Sequence, residues 1–257
     1  MTFHPRPARA PQLARVARHA CLALGVGAAY LASAGSALAD DFIVYSPHVI
    51  VTQSEVELRG YGTDDRRDEM DGERAAELSV AHAFTGWWKP EIYLARYERE
   101  PGAGGSLIGY EFENTFQLTE PGRYWADIGL LASYGHSWEA DGHDELEFGP
   151  LIEKAVGRFD HRVNLIWERE IGAGAASKTE FRYSYAGTYA LTPAFRPGIE
   201  AYGRPDDHAY QAGPTLSGEW HVPGTAGNLE YRVGLLLGIN ADAPRRTWLA
   251  QLEYEFF

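Results

Sequence analysis

The sequence of 257 residues has little cysteine, no series of long apolar runs, and fewer basic than acidic side chains. Its single cysteine excludes a disulfide framework and a multi-cysteine zinc site. A mean hydropathy of −0.33 excludes a polytopic helical membrane protein, because each helical span needs about 20 apolar residues. A membrane β-barrel is not excluded, because its strands only alternate between apolar and polar residues.

The first 39 residues have the composition of a secretory signal peptide. Four arginines and no acidic residue accompany an uncharged run from Ala20 to Ala39, which ends in Ala37-Leu38-Ala39. This run is mostly Ala, Gly and Ser, which favours cleavage after Ala39 over a retained anchor. Residues 40–257 would then form the exported domain, with 19 basic and 36 acidic side chains and a net charge of −17. So acidic a chain is not expected to bind nucleic acid.

The exported part alternates between apolar and polar residues with a period of two, which is typical of β-strands. From Leu229 to Ile239, for example, every odd position is large and apolar. No segment has convincing helical spacing. We predict twelve strands, at residues 48–61, 74–84, 87–98, 106–119, 123–137, 144–156, 159–171, 177–191, 194–204, 207–220, 228–239 and 246–257.

The connections between the predicted strands differ in length on the two sides. Those after even strands are mostly tight, such as Gly157-Arg158, whereas those after odd strands are mostly longer and polar, such as Gly62 to Glu73. An even number of antiparallel strands with this asymmetry is typical of a bacterial outer-membrane barrel. A soluble β-sandwich has no reason to sort its connections in this way. We therefore predict an all-β, single antiparallel transmembrane β-barrel with short periplasmic turns and longer outer loops.

The final strand also favours an outer-membrane barrel. Trp248, Ala250, Leu252, Tyr254 and Phe256 alternate with polar residues, and the chain ends in Phe257. With the signal peptide and the twelve strands, this ending resembles Gram-negative outer-membrane β-barrel proteins of the porin or transporter kind. Phe257 departs from the pattern, since it falls on the opposite face of the strand.

The resemblance has several implications for the biology of the chain. It implies a location in the outer membrane among lipids, with both termini in the periplasm. It also implies that the barrel-assembly machinery reads the C-terminal strand, so Tyr254, Phe256 and Phe257 are the candidate assembly signal.

In a barrel, the charged faces of the strands point into the lumen. Acidic residues outnumber arginines there, so we consider either a salt-bridged, filled interior or a narrow pore that favours cations. Barrels of eight strands are filled by side chains, and barrels of sixteen strands contain an aqueous channel. A barrel of twelve strands lies between them, so its size does not distinguish a filled interior from a pore. The candidate lumen-facing residues are Glu57, Arg59, Glu77, Glu111, Glu113, Glu145, Glu147, Glu153, Arg162, Glu168, Glu180, Arg182, Glu200, Glu230, Arg232, Glu253 and Glu255.

Catalytic and metal-binding patterns are weaker. The His-x-Ser-Asn arrangement of the outer-membrane phospholipase is absent, and the adjacent His136 and Ser137 would point to opposite faces of a strand. A dyad formed by His161 or His208 with a distant serine stays open. The acidic residues between Asp64 and Glu73 lack the order of a calcium loop. We predict no cofactor, no metal and no catalytic residue.

The pattern as a whole predicts passive passage of small solutes or cations through a narrow, acid-lined lumen. The alternatives are a structural or surface-binding barrel with a plugged interior and, third, an outer-membrane enzyme that modifies lipids.

Overall fold

The computed structural model describes residues 42–140 and 142–257. The predicted signal peptide, residues 1–39, lies outside the described residues and stays a prediction. The described chain forms one closed barrel of antiparallel strands. The strands are β1 (Ser54–Asp64), β2 (Arg74–His82), β3 (Trp88–Arg99), β4 (Gly105–Gln117), β5 (Asp127–Ser137), β6 (Asp144–Val156), β7 (Phe159–Ile171), β8 (Glu180–Tyr189), β9 (Arg196–Arg204), β10 (Ala209–His221), β11 (Asn228–Gly238) and β12 (Arg246–Phe256).

Every strand pairs with its neighbours in sequence, and β1 closes the barrel by pairing with β12 from Ser54↔Phe256 to Asp64↔Arg246. Closure pairs both edges of the sheet, which would otherwise expose unpaired backbone groups. The predicted twelve-stranded antiparallel barrel is therefore confirmed. The described residues contain no helix long and apolar enough to cross a membrane.

The wall of the barrel carries its apolar side chains on the outside and its charged side chains on the inside, the reverse of a soluble protein. On β1, Val56 and Leu58 point outward and are 39% and 54% exposed, whereas Glu55, Glu57 and Arg59 point inward and are buried. The period-two pattern of the sequence produces this arrangement, because successive side chains of a strand lie on opposite faces. The barrel therefore has an apolar exterior and a polar, charged interior.

The barrel has two distinct ends. The terminal end holds the start of β1, the end of β12 and the connections after the even strands, whereas the loop end holds the connections after the odd strands. The connection at 118–126 is longer than the turn at 120–122 that the predicted strands 106–119 and 123–137 imply. Leu118 N donates to Ile128 O, and Ile128 N donates to Thr119 Oγ1, so the hydrogen bonding between the two strands continues past the end of β4.

The first strand begins later than predicted. We expected it from residue 48, but β1 starts at Ser54. Residues 42–53 form what we call the lumenal segment, which lies inside the barrel up to Val49 and is exposed from Ile50 to Thr52. The chain reverses at Thr52, whose φ is 69° and whose N–H donates to Ala83 O at 2.9 Å. The predicted start of β1 was wrong because an extended segment alternates with a period of two whether it lies in the lumen or in the wall.

Candidate functional site: the lumen and its internal segment

The lumenal segment crosses the interior from one end of the barrel to the other. The Phe42 ring packs on Tyr61 and Tyr202, which lie near the loop end, with centroids 4.7 and 5.4 Å away. Val49 N donates to Oε1 of Gln117, the last residue of β4, at the terminal end. The strand ends Ser54 and Phe256 therefore lie at the same end of the barrel, whereas residue 42 lies near the opposite end. That the terminal end faces the periplasm stays a prediction.

Apolar contacts hold the segment on both sides. Ile43 and Tyr45 pack against inward-facing apolar residues of β5, β6 and β7, and Phe42 and Val44 pack against a second cluster on the opposite wall. These inward apolar residues break the polar pattern of the interior, and they do so where the segment lies. The wall residues are Leu131, Leu151 and Ile166 in the first cluster, and Tyr61, Ala75, Tyr202, Leu236 and Leu249 in the second.

Side chains of the wall satisfy the backbone of the segment. Asn164 accepts from Tyr45 N at 2.7 Å and donates to Tyr45 O at 3.0 Å, so its amide imitates a neighbouring strand. Arg232 donates to Phe42 O at 2.8 Å, and Ser46 Oγ donates to Glu153 at 2.7 Å. These bonds matter because an unpaired buried backbone group costs about 1 to 3 kcal/mol.

His48 contacts acidic side chains through both ring nitrogens. Its Nε2 lies 2.9 Å from Asp127 Oδ2, and its Nδ1 lies 3.6 Å from Glu153 Oε1. The imidazole is about one-third exposed. Its contacts join the lumenal segment to β5 and β6 at the terminal end.

One ion-paired cluster lies between β1 and β4. Arg59 contacts Glu77 at 2.8 Å and Glu57 at 3.4 Å, and Arg96 contacts Glu77 at 2.8 Å and Glu111 at 3.3 Å. All five side chains are at most 8% exposed. The predicted lumen residue Glu111 thus faces a guanidinium rather than open space.

A second ion-paired cluster lies between β6 and β9. Arg182 contacts Glu147 at 2.6 Å and also contacts Glu168, while Arg204 contacts Glu168 at 3.0 Å. Glu145 lies on the same inward face of β6, within 4.8 Å of Glu147 and Glu168. Arginines thus neutralise much of the acidic charge in this part of the lumen.

The terminal end contains a different environment, which we call the acidic vestibule. It is a cavity of about 360 Å³ beside the lumenal segment, lined by ten carboxylates against four Lys or Arg side chains. The carboxylates belong to Glu55, Glu57, Glu91, Glu113, Asp160, Glu200, Glu219, Glu230, Glu253 and Glu255, and the cations to Lys89, Arg162, Arg196 and Arg232.

Carboxylates approach one another closely in the vestibule. The oxygens of Glu55, Glu253 and Glu255 lie within 4.8 Å of one another, and so do those of Glu219, Glu230 and Glu255. Lys89 contacts Glu55 at 2.5 Å. Further ion pairs join Arg232 to Glu200 at 2.6 Å, Arg162 to Asp160 at 3.1 Å and to Glu153 at 3.0 Å, and Arg196 to Glu219 at 3.9 Å. Carboxyl groups therefore outnumber basic side chains here.

The predicted site residues fall into three groups. The structure places Glu111, Glu147, Glu168 and Arg182 in the ion-paired clusters, beside Glu145. It places Glu113, Arg232, Glu253 and Glu255 around the vestibule. Tyr254 and Phe256 stack on the outer face of β12 with centroids 5.6 Å apart, and Phe257 follows the strand. Their role in assembly stays a prediction.

Sequence reasoning missed several residues of the lumen. Arg96 faces inward because the pairing of β3 shifts register between Tyr93 and Arg96, a bulge that reverses the alternation. The lumenal segment was missed because it continues the period of a strand. Isolated large apolar residues on the polar faces, such as Leu131, Ile166 and Leu236, are the signal that could have revealed an internal packing partner.

The histidines form no complete catalytic triad among the described residues. His161 bonds to Tyr185 Oη at 2.9 Å rather than to a serine, and His136 bonds to Asp144 at 2.7 Å. Ser54 Oγ lies 2.9 Å from His82 Nδ1 on the outer face. This pair has no third orienting group among the contacts of the described chain, so it is a polar cross-strand pair.

One solved structure shares this fold, and two others have a lower similarity. An outer membrane channel from Pseudomonas putida F1 has a TM-score of 0.55 and 13% identity, with 81% of this chain and 96% of that chain covered. The NanC porin has a TM-score of 0.48 and 10% identity, covering 79% and 99% of the two chains. Omp33, an outer membrane protein of Acinetobacter baumannii, has a TM-score of 0.41 and 12% identity, covering 82% and 99%.

No protein-family model matches the sequence, and no curated protein matches it. The likeness to the Pseudomonas channel concerns the fold alone. The chain thus has the fold of an outer-membrane β-barrel channel.

Proposed function

We propose that the protein is an outer-membrane channel that gives small cations passive passage. The observation that carries this proposal is the acidic vestibule, in which Glu55, Glu230, Glu253 and Glu255 line one continuous cavity. Clustered carboxylates lower the electrostatic cost of bringing a cation into a narrow polar passage and raise the cost for an anion. The apolar exterior matches the acyl chains of a bilayer.

The lumenal segment sets the width of the passage in this proposal. Its apolar side chains contact the walls on both sides near the loop end, and the cavity lies beside the rest of the segment, so solutes would pass alongside the segment. The cavity lies at the terminal end, which becomes the periplasmic end if the predicted export and topology hold. Removing the segment should widen the passage and leave the carboxylates in place.

A second candidate function is a structural barrel that conducts nothing. The bidentate bond of Asn164 to Tyr45 and the apolar clusters around Ile43 favour it, because they fix the segment firmly across the lumen. The two candidates share a fold and a location and differ only in ion passage.

Single-channel recording in a planar bilayer separates them. The protein is compared with a variant that lacks residues 42–49, both shown to be folded by their heat-dependent mobility on gels. We expect cation-preferring steps from the intact chain and larger steps from the deletion variant. If neither folded protein conducts ions, the channel proposal is contradicted and the structural barrel is favoured.

A further inference from the structure

The lumenal segment is held in the barrel in the manner of a bound peptide. Pairing of β1 with β12 closes the barrel from Ser54 onward, so residues 42–49 are not part of the wall. They join it through a short link in which Ile50 and Val51 are 52% and 51% exposed. Within the described chain, the inner part of the segment is therefore held by this link and by noncovalent contacts along its length.

Wall side chains from three different strands recognise the backbone of the segment. The hydrogen bonds join Arg232 of β11 to Phe42 O at 2.8 Å, Asn164 of β7 to Tyr45 N at 2.7 Å and Tyr45 O at 3.0 Å, and Gln117 of β4 to Val49 N at 2.8 Å. Bonds to main-chain atoms bind an extended chain whatever its side chains are. The wall therefore provides affinity for extended backbone at three points across the lumen.

The wall also provides pockets for particular side chains. Apolar clusters on opposite walls receive the side chains of residues 42–45 alternately. Pro47 is fully buried, and a methyl group added to Gly129 of β5 would lie 2.8 Å from its Cβ. The glycine thus leaves the space that the proline ring occupies. Pro47 in turn favours extended backbone at Ser46.

We propose that the lumen is a binding site for an extended peptide, which the chain occupies with its own segment and which accepts a separate peptide when that segment is removed. The ligand is a peptide with four consecutive apolar or aromatic residues, followed two positions later by proline. Backbone bonds give the affinity and the apolar pockets give the specificity. The inference concerns binding in the lumen and does not depend on ion passage.

The covalent link makes the segment a strong competitor. A short flexible linker gives an attached ligand an effective concentration on the order of millimolar. A separate peptide should therefore bind the intact protein at least roughly tenfold more weakly than a barrel without residues 42–49. The segment thus keeps other peptides out of the lumen of the intact chain.

Binding of a synthetic peptide tests the proposal. The peptide has the sequence of residues 42–49 and a fluorescent label after Val49, where the link leaves the lumen. Its anisotropy is measured in detergent micelles with the intact protein and with the variant that lacks residues 42–49, both shown to be folded by their heat-dependent mobility on gels. We expect saturable binding of one peptide per barrel to the variant and at least roughly tenfold weaker binding to the intact protein. Partition into micelles would be equal for both proteins.

A peptide that is N-methylated at Tyr45 tests the backbone contact. It lacks the N–H that Asn164 accepts, so it should bind at least about tenfold more weakly. Asn164→Leu in the deletion variant should weaken the unmodified peptide by a similar factor. The methylated peptide should lose little more in that background, because both changes remove the same hydrogen bond. Additive losses, or equal binding of the two peptides, would contradict the proposed mode of binding.

A second design keeps the full chain during folding. A recognition sequence for a specific protease is inserted between Ile50 and Val51, in the exposed link, and is cut after the barrel has folded. We expect the cut segment to stay with the barrel through gel filtration and to be replaced by an excess of the labelled peptide. Failure of both the cut barrel and the folded deletion variant to take up the peptide would overturn the proposal. A folded barrel that conducts no ions would contradict the channel and leave this readout intact.

Discussion

The ion-paired clusters and the acidic vestibule lie in the same lumen but differ in how many of their carboxylates are paired with basic side chains. In the clusters, Arg59, Arg96 and Arg182 lie between buried carboxylates at hydrogen-bonding distances. In the vestibule, Glu253 and Glu255 lie among other carboxylates, with Lys89 and three arginines for ten acids, one of which, Glu57, also contacts Arg59 of the first cluster. Inward acids are therefore not equivalent: some fix strands to one another, whereas others create an electrostatic field in open space.

The largest expected effect is a loss of stability when an ion-paired cluster is broken. Arg182→Met removes the guanidinium between Glu147 and Glu168, which are 4% and 5% exposed. Because two buried carboxylates then face each other without it, the free energy of unfolding should fall by about 3 kcal/mol. Denaturant unfolding in detergent micelles measures this change.

Arg196→Met is the matched control for this prediction. Arg196 is 38% exposed and lies 3.9 Å from Glu219, at the vestibule. An exposed pair of this kind contributes about 0 to 1 kcal/mol. Equal losses in the two variants would contradict the distinction between the clusters and the vestibule.

A smaller effect is expected where the lumenal segment meets the wall. Asn164→Leu keeps the size of the side chain and removes both hydrogen bonds to Tyr45. Because the peptide groups of Tyr45 then lack this partner, the amide hydrogen of Tyr45 should exchange at least about tenfold faster. Hydrogen exchange read by NMR gives the rate.

Ser184→Ala serves as the comparison for Asn164→Leu. Ser184 donates to Asn164 Oδ1 at 3.2 Å and is not bonded to the segment. Its loss should change the exchange of Tyr45 much less. An unchanged rate in Asn164→Leu would show that the apolar clusters alone hold the segment.

The smallest effect is expected at the loop end, outside the lumen. Asp65 accepts hydrogen bonds from Arg67 and from Arg245 N, so it joins the connection after β1 to the connection after β11. The side-chain hydrogen bond from Arg67 lowers the pKa of Asp65 well below its usual range. A lowered pKa stabilises the folded state above the unfolded value of about 3.9, and this contribution disappears as pH falls further.

The Arg245 amide reports this effect. Its hydrogen-exchange protection should stay constant from neutral pH down to about pH 4 and fall below it, after correction for intrinsic rates. In Asp65→Asn the protection should be lower throughout and should not depend on pH. Loss of protection at higher pH in the unmodified chain would contradict this assignment.

The strands could be predicted from the sequence, and the contents of the lumen could not. Alternation such as that from Leu229 to Ile239 places side chains on two faces and gives β11 nearly as observed. The same rule assigned His48 to a strand of the wall, because period two is a property of extended backbone wherever it lies. It also left Arg96 unassigned, since the bulge in β3 depends on pairing with β2 and β4.

The candidate acids were predictable as a set, but their environments were not. Glu111 and Glu253 occupy equivalent places in the alternating pattern, yet one contacts Arg96 and the other lines the vestibule. Pairing depends on which strands are adjacent and on their register. A single sequence gives neither, although it does give the inward direction of both side chains.

The reversal potential in a salt gradient tests most directly whether the vestibule selects cations. We compare the unmodified protein with Glu253→Gln/Glu255→Gln and with a charge-matched control, Glu120→Gln/Glu139→Gln, in exposed connections. We predict that the vestibule variant loses roughly threefold in cation-to-anion permeability ratio. The control should keep the original ratio. An equal ratio in all three proteins, or an anion preference in the unmodified one, would contradict the proposal.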